Sequence, residues 1–309
     1  MSKCLPILDQ MPPEIMEKIV GFTDTFDKFR LRQCCKYFKQ IVDTFEIVFN
    51  CLEFCWREYN KYATVYVQDH YHSEKKFNDE NPEDSIEYAI SALKFLGKVL
   101  KSHPKIHLVK LIVTFDIRDF SNRERMMEEV SRVFSGLDNK LPVERVEIES
   151  MQNEQLLMSV FPHLVPGTLR RVNLRRAYIQ DTGVDFSRVF ETEQWKQAKE
   201  LYFNYRSIGL EGTHHFEIME RNIPRLTMEY VQKIVENILR DNGWKKRDIS
   251  AGEYDKNAIE QYLLQFNYKI LQNNDAILNM TIRRDGYGCE IKLSRWYRNW
   301  VFKRIDSVS

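Results

Sequence analysis

Apolar residues along this chain keep a helical period at first and then alternate between helical and two-residue spacing. From Met11 to Val42, MPPEIMEKIVGFTDTFDKFRLRQCCKYFKQIV, the spacing is helical. Ile15, Met16, Ile19 and Val20 recur behind Pro12 and Pro13, residues suited to a helix start because their missing N–H groups would have no partner there. Gly21 and Thr23-Asp24-Thr25 end that helix. Asp27 is the expected N-cap of a second run carrying Leu31, Cys34, Cys35, Phe38, Ile41 and Val42. So small a unit cannot bury all these apolar groups itself, and units below about 40 residues rarely fold unaided. The pattern therefore predicts a docking element over residues 5–50, covered on its outer flank by another subunit.

Residues 51–85 form a connecting segment. Its first part, continuing from Phe45, Ile47, Val48 and Phe49 through Leu52, Phe54, Trp56 and Tyr59, is too apolar for a free linker, whereas 68–85 is polar and reads as a loop. Beyond it, helices are expected over Ile86–Leu100, Arg125–Leu137, Glu154–Leu164 and Phe186–Trp195, each followed by an alternating strand. The first inward strand residues are Leu111, Val146, Val172 and Leu201, separated by 35, 26 and 29 positions. That range fits helix–strand repeats. The fold class is thus α/β (α+β overall), a small three-helix unit followed by a degenerate leucine-rich-repeat-like helix–strand solenoid.

Strand alternation assigns side chains to two faces. Leu111, Val113, Val146, Ile148, Val172, Leu174, Leu201 and Phe203 turn toward the helices. The opposite face presents Lys110, Ile112, Arg145, Glu147, Glu149, Arg171, Asn173, Arg175, Tyr202, Asn204 and Arg206, a mixture suited to recognising a protein target. Residues 241–309 read as helices and a hairpin that complete the repeat domain. Thr227 is the expected N-cap of a helix reaching Leu239, Ala258–Leu271 another helix, and Ile277–Arg283 with Cys289–Leu293 a hairpin. Trp296 and Trp300 fit a terminal amphipathic helix docking on the body.

Charge narrows the partners. Lys plus Arg number 46 against 45 Asp plus Glu, a net charge of +1, so no global field draws the chain to nucleic acid or anionic lipid. The basic words Lys245-Lys246-Arg247 and Arg295–Arg304 are local, and nucleic acid is not the expected partner. No secretion signal or apolar run of about 18 residues occurs, so a soluble protein of the cytoplasm or nucleus is expected, with no membrane partner.

Candidate chemistry is sparse. Five of the six cysteines, Cys4, Cys34, Cys35, Cys51 and Cys55, precede Cys289 by a wide gap, which fits reduced buried thiols better than a disulfide framework. His70-x-His72, His214-His215 and Cys51-xxx-Cys55 lack a second pair at zinc spacing, and Pro104 separates His103 from His107. No metal or cofactor is expected. Phosphate loops and a Gly-x-Ser-x-Gly elbow are absent from the sequence. An enzymatic alternative would need Cys34, Cys35 or Cys289 as nucleophile, although Cys34 and Cys35 fall in the apolar pattern, where burial makes thiols inert.

Met11-Pro12, Glu14-Ile15, Ile19-Val20, Asp27 and Cys35–Val42 together resemble the F-box, the adaptor-binding motif of cullin-based ubiquitin ligases. The family more often has leucine where Met11 stands. The resemblance implies that Met11, Pro12, Glu14, Ile15, Ile19, Val20, Leu31 and Phe38 face a Skp-type adaptor, or hold the helices that do, and reach a cullin through it. Further on, Phe161–Pro166 with GTLRRVNL, the Gln194–Lys199 word and IPRLTMEYVQKIVENIL resemble the FTH module found behind F-boxes in a large nematode family. That implies an FTH domain over 86–240. The expected function is a non-catalytic substrate receptor of a Skp–cullin–F-box ligase, whose target is an unknown protein. The alternative is a protein-interaction adaptor outside ubiquitin transfer, bridging to an RNA-bound regulatory protein.

Overall fold

Three short helices precede the first strand. Helix α1 (Pro13–Gly21) starts on Pro13, α2 (Thr25–Cys34) follows a tight turn, and α3 (Lys36–Val42) leads into β1 (Ile47–Arg57). Asp24, not the expected Asp27, caps α2: its Oδ1 accepts the Asp27 N–H at 2.7 Å. The run expected to continue through Cys34 and Cys35 is broken because Cys35 is extended, with φ −160° and ψ 169°. This structure, a computed structural model, describes residues 11–57, 62–69, 74–77, 85–117, 119–150, 153–175, 185–203, 212–240, 244–266, 268–273, 277–284, 287–294 and 299–306. The chain divides into two compact units, Met1–Leu169 and Arg170–Ser309.

In the first unit, β1 runs parallel to β4 (Ile106–Asp116), and β4 parallel to β5 (Val143–Glu149). Leu52 lies opposite Leu111, and Leu111 opposite Val146. Helix α4 (Ser85–Lys101) precedes β4, α5 (Phe120–Ser135) joins it to β5, and α6 (Asn153–Val160) follows. Phe54, Trp56, Leu108, Leu111, Val113, Phe115, Val146 and Ile148 are buried strand residues, matched by Ala89, Leu93 and Leu96 of α4 and Met126, Val130 and Phe134 of α5. Burial of this apolar surface, at roughly 25 cal/mol per Å², is the main force holding helix to sheet.

Segment 51–85 is more than a connection. Residues 51–57 complete β1, Tyr62–Asp69 forms β2 antiparallel to it, and the polar Glu74–Phe77 forms edge strand β3. A short polar strand at a sheet edge discourages pairing with other chains.

In the second unit, β6 (Arg171–Arg175), β7 (Glu200–Phe203), β8 (Ile218–Leu226) and β9 (Lys246–Tyr254) are parallel neighbours. Val172 stands opposite Leu201, and Leu201 opposite Met219. Short helices α7 (Ser187–Phe190) and α8 (Glu193–Gln197) fill the β6–β7 crossover, and α9 (Met228–Arg240) that from β8 to β9. Thr227 caps α9, its Oγ1 accepting the Tyr230 N–H at 3.3 Å. Helix α10 (Lys256–Leu263) stops short of the expected Leu271. Tyr268–Asn273 is instead strand β10, as its aromatic and β-branched content favours.

Strands β11 (Ile277–Arg284) and β12 (Tyr287–Ser294) form the expected hairpin, with Arg284 opposite Tyr287. Of the expected terminal amphipathic helix, Trp296 lies outside the described residues, and the described part is not helical: Asn299–Asp306 is strand β13, antiparallel to both β12 and β9. Trp300 and Phe302 point into the core with Ile249, Ile291 and Leu293. A two-residue spacing puts both on one face of a strand, as a helix would not. Helix–strand alternation thus describes the parallel part of each unit, while β1–β3 and β10–β13 pair antiparallel.

Candidate functional site

Helix α1 is apolar on two sides. Met16 and Val20 are fully buried and form a core with Phe38, Ile41 and Val42, edged by Met11, Leu31, Tyr37 and Phe45. Its other side carries Ile15, 44% exposed, Ile19, 41% exposed, and Phe22, 88% exposed. Positions four and seven after Ile15 lie along one stripe of a helix. Pro12, Pro13 and Glu14 are exposed at its start. Uncovered apolar stripes on a folded chain mark contact surfaces.

Four of the eight expected docking residues, Pro12, Glu14, Ile15 and Ile19, are exposed; Met11 and Leu31 are half-buried. Val20 and Phe38, at 0% and 4% exposure, are the members of the set that hold the helices together and do not face outward. Phe22 was missed because Gly21 and Thr23 read as the end of the helix. Its signal was its place seven residues after Ile15. Cys34 and Cys35 are corrected: the break at Cys35 leaves Cys34 exposed and Cys35 half-buried, not sealed in the core.

The three helices are fastened to the strands of the same unit by polar and aromatic contacts. Phe29 of α2 stacks on Phe49 of β1 with centroids 5.9 Å apart. His103, 4% exposed, sits beneath α3. Its Nδ1 accepts the Lys105 N–H at 3.1 Å, so the neutral ring carries its proton on Nε2 and donates it to the Val42 carbonyl at 3.1 Å. Burial holds this imidazole below its ordinary pKa, reinforced by the Arg32 charge and opposed by Val42 and Asp43. Arg32 meets Asp43 at 2.5 Å, and the Thr25 N–H donates to Asp69 Oδ2 at 3.3 Å. Such joints fix the direction in which the exposed stripe of α1 faces.

Each unit also carries a candidate surface of its own, the face of its strands away from its helices. In the first unit Lys110 pairs with Glu147 at 2.9 Å, Ile112 and Glu149 are half-buried, and Arg145 is exposed. In the second, Arg171 bonds Glu200 through Nη2 at 2.5 Å and lies 4.7 Å from the Tyr202 ring centroid, with Asn173 half-buried and Arg175 exposed. Asn204 and Arg206 lie outside the described residues. Several charges on these faces are therefore already neutralised within the chain.

Burial raises Cys51 and Cys55 to about 11 and Cys289 to about 12, keeping each protonated at neutral pH. Trp195 is fully buried, its Nε1–H donating to the Gly212 carbonyl at 2.7 Å. It anchors the core of the second unit.

A family model for the F-box domain matches residues 8–50, and one for the FTH domain matches residues 124–266. The chain is an F-box protein with an FTH domain. The FTH match starts and ends later than the span expected from the sequence words. It runs from within α5 to just past α10. An F-box implies a Skp-type adaptor as partner, and the exposed stripe of α1 lies within the F-box match. No curated protein matches the chain. Among the described residues, no helix is long and apolar enough to cross a membrane.

Proposed function

We propose that this F-box protein is the non-catalytic substrate-recognition subunit of a Skp–cullin–F-box ubiquitin ligase. The observation that carries the reading is the two-sided apolar character of α1: Met16 and Val20 close the chain's own core, while Ile15, Ile19 and Phe22 remain for a Skp-type adaptor. A Skp-bound cullin then holds the conjugating machinery near a target captured by the FTH region. The contribution is effective concentration of target lysines, not chemistry on this chain. The helix–strand elements act as a degenerate repeat scaffold presenting the outward residues Ile112, Arg145 and Glu149 of one unit and Asn173, Arg175 and Tyr202 of the other. The site of action is the cytoplasm or nucleus, where such ligases work.

Adaptor capture by the full chain tests this. Ile15→Asp with Ile19→Asp is expected to abolish capture while leaving the fold intact, since both side chains are largely exposed. Undiminished capture by that variant overturns the docking role. Adaptor binding without co-capture of cullin favours the alternative of an adaptor outside ubiquitin transfer.

A further inference from the structure

A cleft of about 570 Å³ opens in the first unit where the F-box helices meet the helix-to-strand loops. Its buried wall is formed by Leu100, His103, Ile106 and Leu141, and its rim by Lys39 of α3, Lys101 at the end of α4, Lys105 before β4, and Asp138 and Lys140 before β5. The size suits a small ligand. The charges around it are unbalanced. Arg32 and Asp43 neutralise each other at 2.5 Å, Glu46 lies 3.3 Å from His107, and Lys105 donates to the Thr44 carbonyl at 3.0 Å. Among the described residues, the ammonium groups of Lys39, Lys101 and Lys140 have no ion-pair or hydrogen-bond partner. Glu46 and Asp138 are the carboxylates facing the lysines of the rim, Lys39, Lys101, Lys105 and Lys140, so positive charge is in excess.

The carbonyls at the ends of α4 and α5 already have donors within the chain. The Val99 carbonyl at the end of α4 already accepts Ser102 N–H and Oγ–H at 3.1 and 2.5 Å. At the end of α5, the Arg132 carbonyl accepts the Gly136 N–H at 3.1 Å and Ser135 Oγ–H at 3.4 Å. Lys101 reaches the end of α5, its Nζ 2.8 Å from where a Cβ on Gly136 would stand, at the start of the loop that carries Lys140. The positive field is felt nearby: burial and then the Lys140 charge lower the pKa of His163.

We propose that this cleft binds a phosphate-bearing ligand, with Lys39, Lys101 and Lys140 converging on the anion. Two sources share that chemistry, a free polyphosphate and a phosphorylated side chain of a protein. Binding would tie α3 of the F-box to the loops before β4 and β5.

The test uses the full chain at constant ionic strength, titrated separately with sodium tripolyphosphate, a short phosphoserine peptide, its unphosphorylated twin, and sulfate. Saturable binding of one of the first two is expected, weakened at least about tenfold by Lys101→Gln with Lys140→Gln, as loss of charge-assisted hydrogen bonds implies. Lys140→Arg should retain it, and Lys233→Gln on α9 should leave it unchanged. Tighter binding of the phosphopeptide identifies a protein ligand, and tighter binding of tripolyphosphate a free one. Ile15→Asp should bind as the parent does, which separates this site from adaptor docking. Failure of both phosphate probes to saturate, or equal binding by parent and the double glutamine variant, overturns the proposal.

Discussion

The ring of Phe29 lies over that of Phe49, with centroids 5.9 Å apart and planes 17° from parallel. Phe29 belongs to the second F-box helix and Phe49 to the first strand of the sheet. The pair therefore joins a docking element to the body behind it without a flexible linker. Phe26 approaches the same ring at 6.4 Å, and His103 meets Phe29 edge-on at 6.4 Å. In the proposed receptor role a rigid joint matters, because a target would have to be held at a fixed distance from whatever the adaptor recruits.

Phe29→Ala should loosen this joint. Phe29 is half-buried, so a loss of about 2 kcal/mol is expected, below the cost of truncating a fully buried phenylalanine. Urea unfolding checks it: the midpoint should fall with the slope preserved. A change below about 0.5 kcal/mol, the range of ordinary surface substitutions, would show that the stacking does not hold α2 to β1.

Gly212→Ala should destabilise the FTH region for two separate reasons. Gly212 has φ +73°, a left-handed conformation costly for any residue with a Cβ, and that Cβ would stand 2.4 Å from Phe190 Cδ2. Phe190 packs on Trp195 at 5.3 Å, and Trp195 bonds the Gly212 carbonyl, so displacement spreads through the cluster. A loss of about 2–3 kcal/mol is expected, read as a lower thermal midpoint. A midpoint equal to the parent's contradicts the geometry.

Acid should weaken the joint beneath α3. The folded pKa of His103 lies below the ordinary value of 6.5, so as pH falls the unfolded chain takes up this proton first. The stability is fully present above the ordinary value and is lost as pH falls from 6.5 toward the folded pKa. Protonation would place an Nδ1–H against the Lys105 N–H that it now accepts. Asp43, 3.5 Å from Nε2, resists the loss, while Arg32 promotes it. His103→Gln can supply both hydrogen bonds without titrating. Its unfolding midpoint should depend less on pH between about 7 and 5 than the parent's, and equal dependence rules the mechanism out.

Much of the fold was legible because its periods are clean. Leu111 with Val146, and Val172 with Leu201, are cross-strand partners that the spacing had placed in corresponding positions. Strand β1 was harder to see. Its residues from Phe54 to Trp56 are all buried, and its pairing with β2 shifts register between Phe49 and Cys51, so no simple alternation appears. The tail misled for a different reason. Trp296 and Trp300 are four apart, a separation that serves a helix face and a strand face equally well. At the docking site, the outward stripe of α1 was readable from Ile15 and Ile19, but the division between stripe and core needed tertiary contacts: Val20 looks like Ile19 in sequence and is buried. The lysine cleft had no sequence signature, because its residues come from three separated segments.

Phe22 offers the sharpest separation of folding from docking. At 88% exposure its side chain contributes little to the chain's own core, so Phe22→Ala should change stability by no more than about 0.5 kcal/mol. A large exposed aromatic beside Ile15 and Ile19 has the character of an interface anchor, and such residues cost about 2 kcal/mol or more of binding when truncated. Adaptor affinity should therefore fall roughly thirtyfold, with 1.4 kcal/mol equal to a tenfold change. Val20→Ala makes the opposite comparison: it empties space in a sealed core, lowers stability by about 2 kcal/mol, and leaves affinity of the folded fraction near the parent's. Calorimetric titration of both variants with the adaptor, beside their unfolding curves, reads the two effects apart. If Phe22→Ala binds as tightly as the parent, the adaptor seats elsewhere on the helices and the stripe assigned to it is wrong.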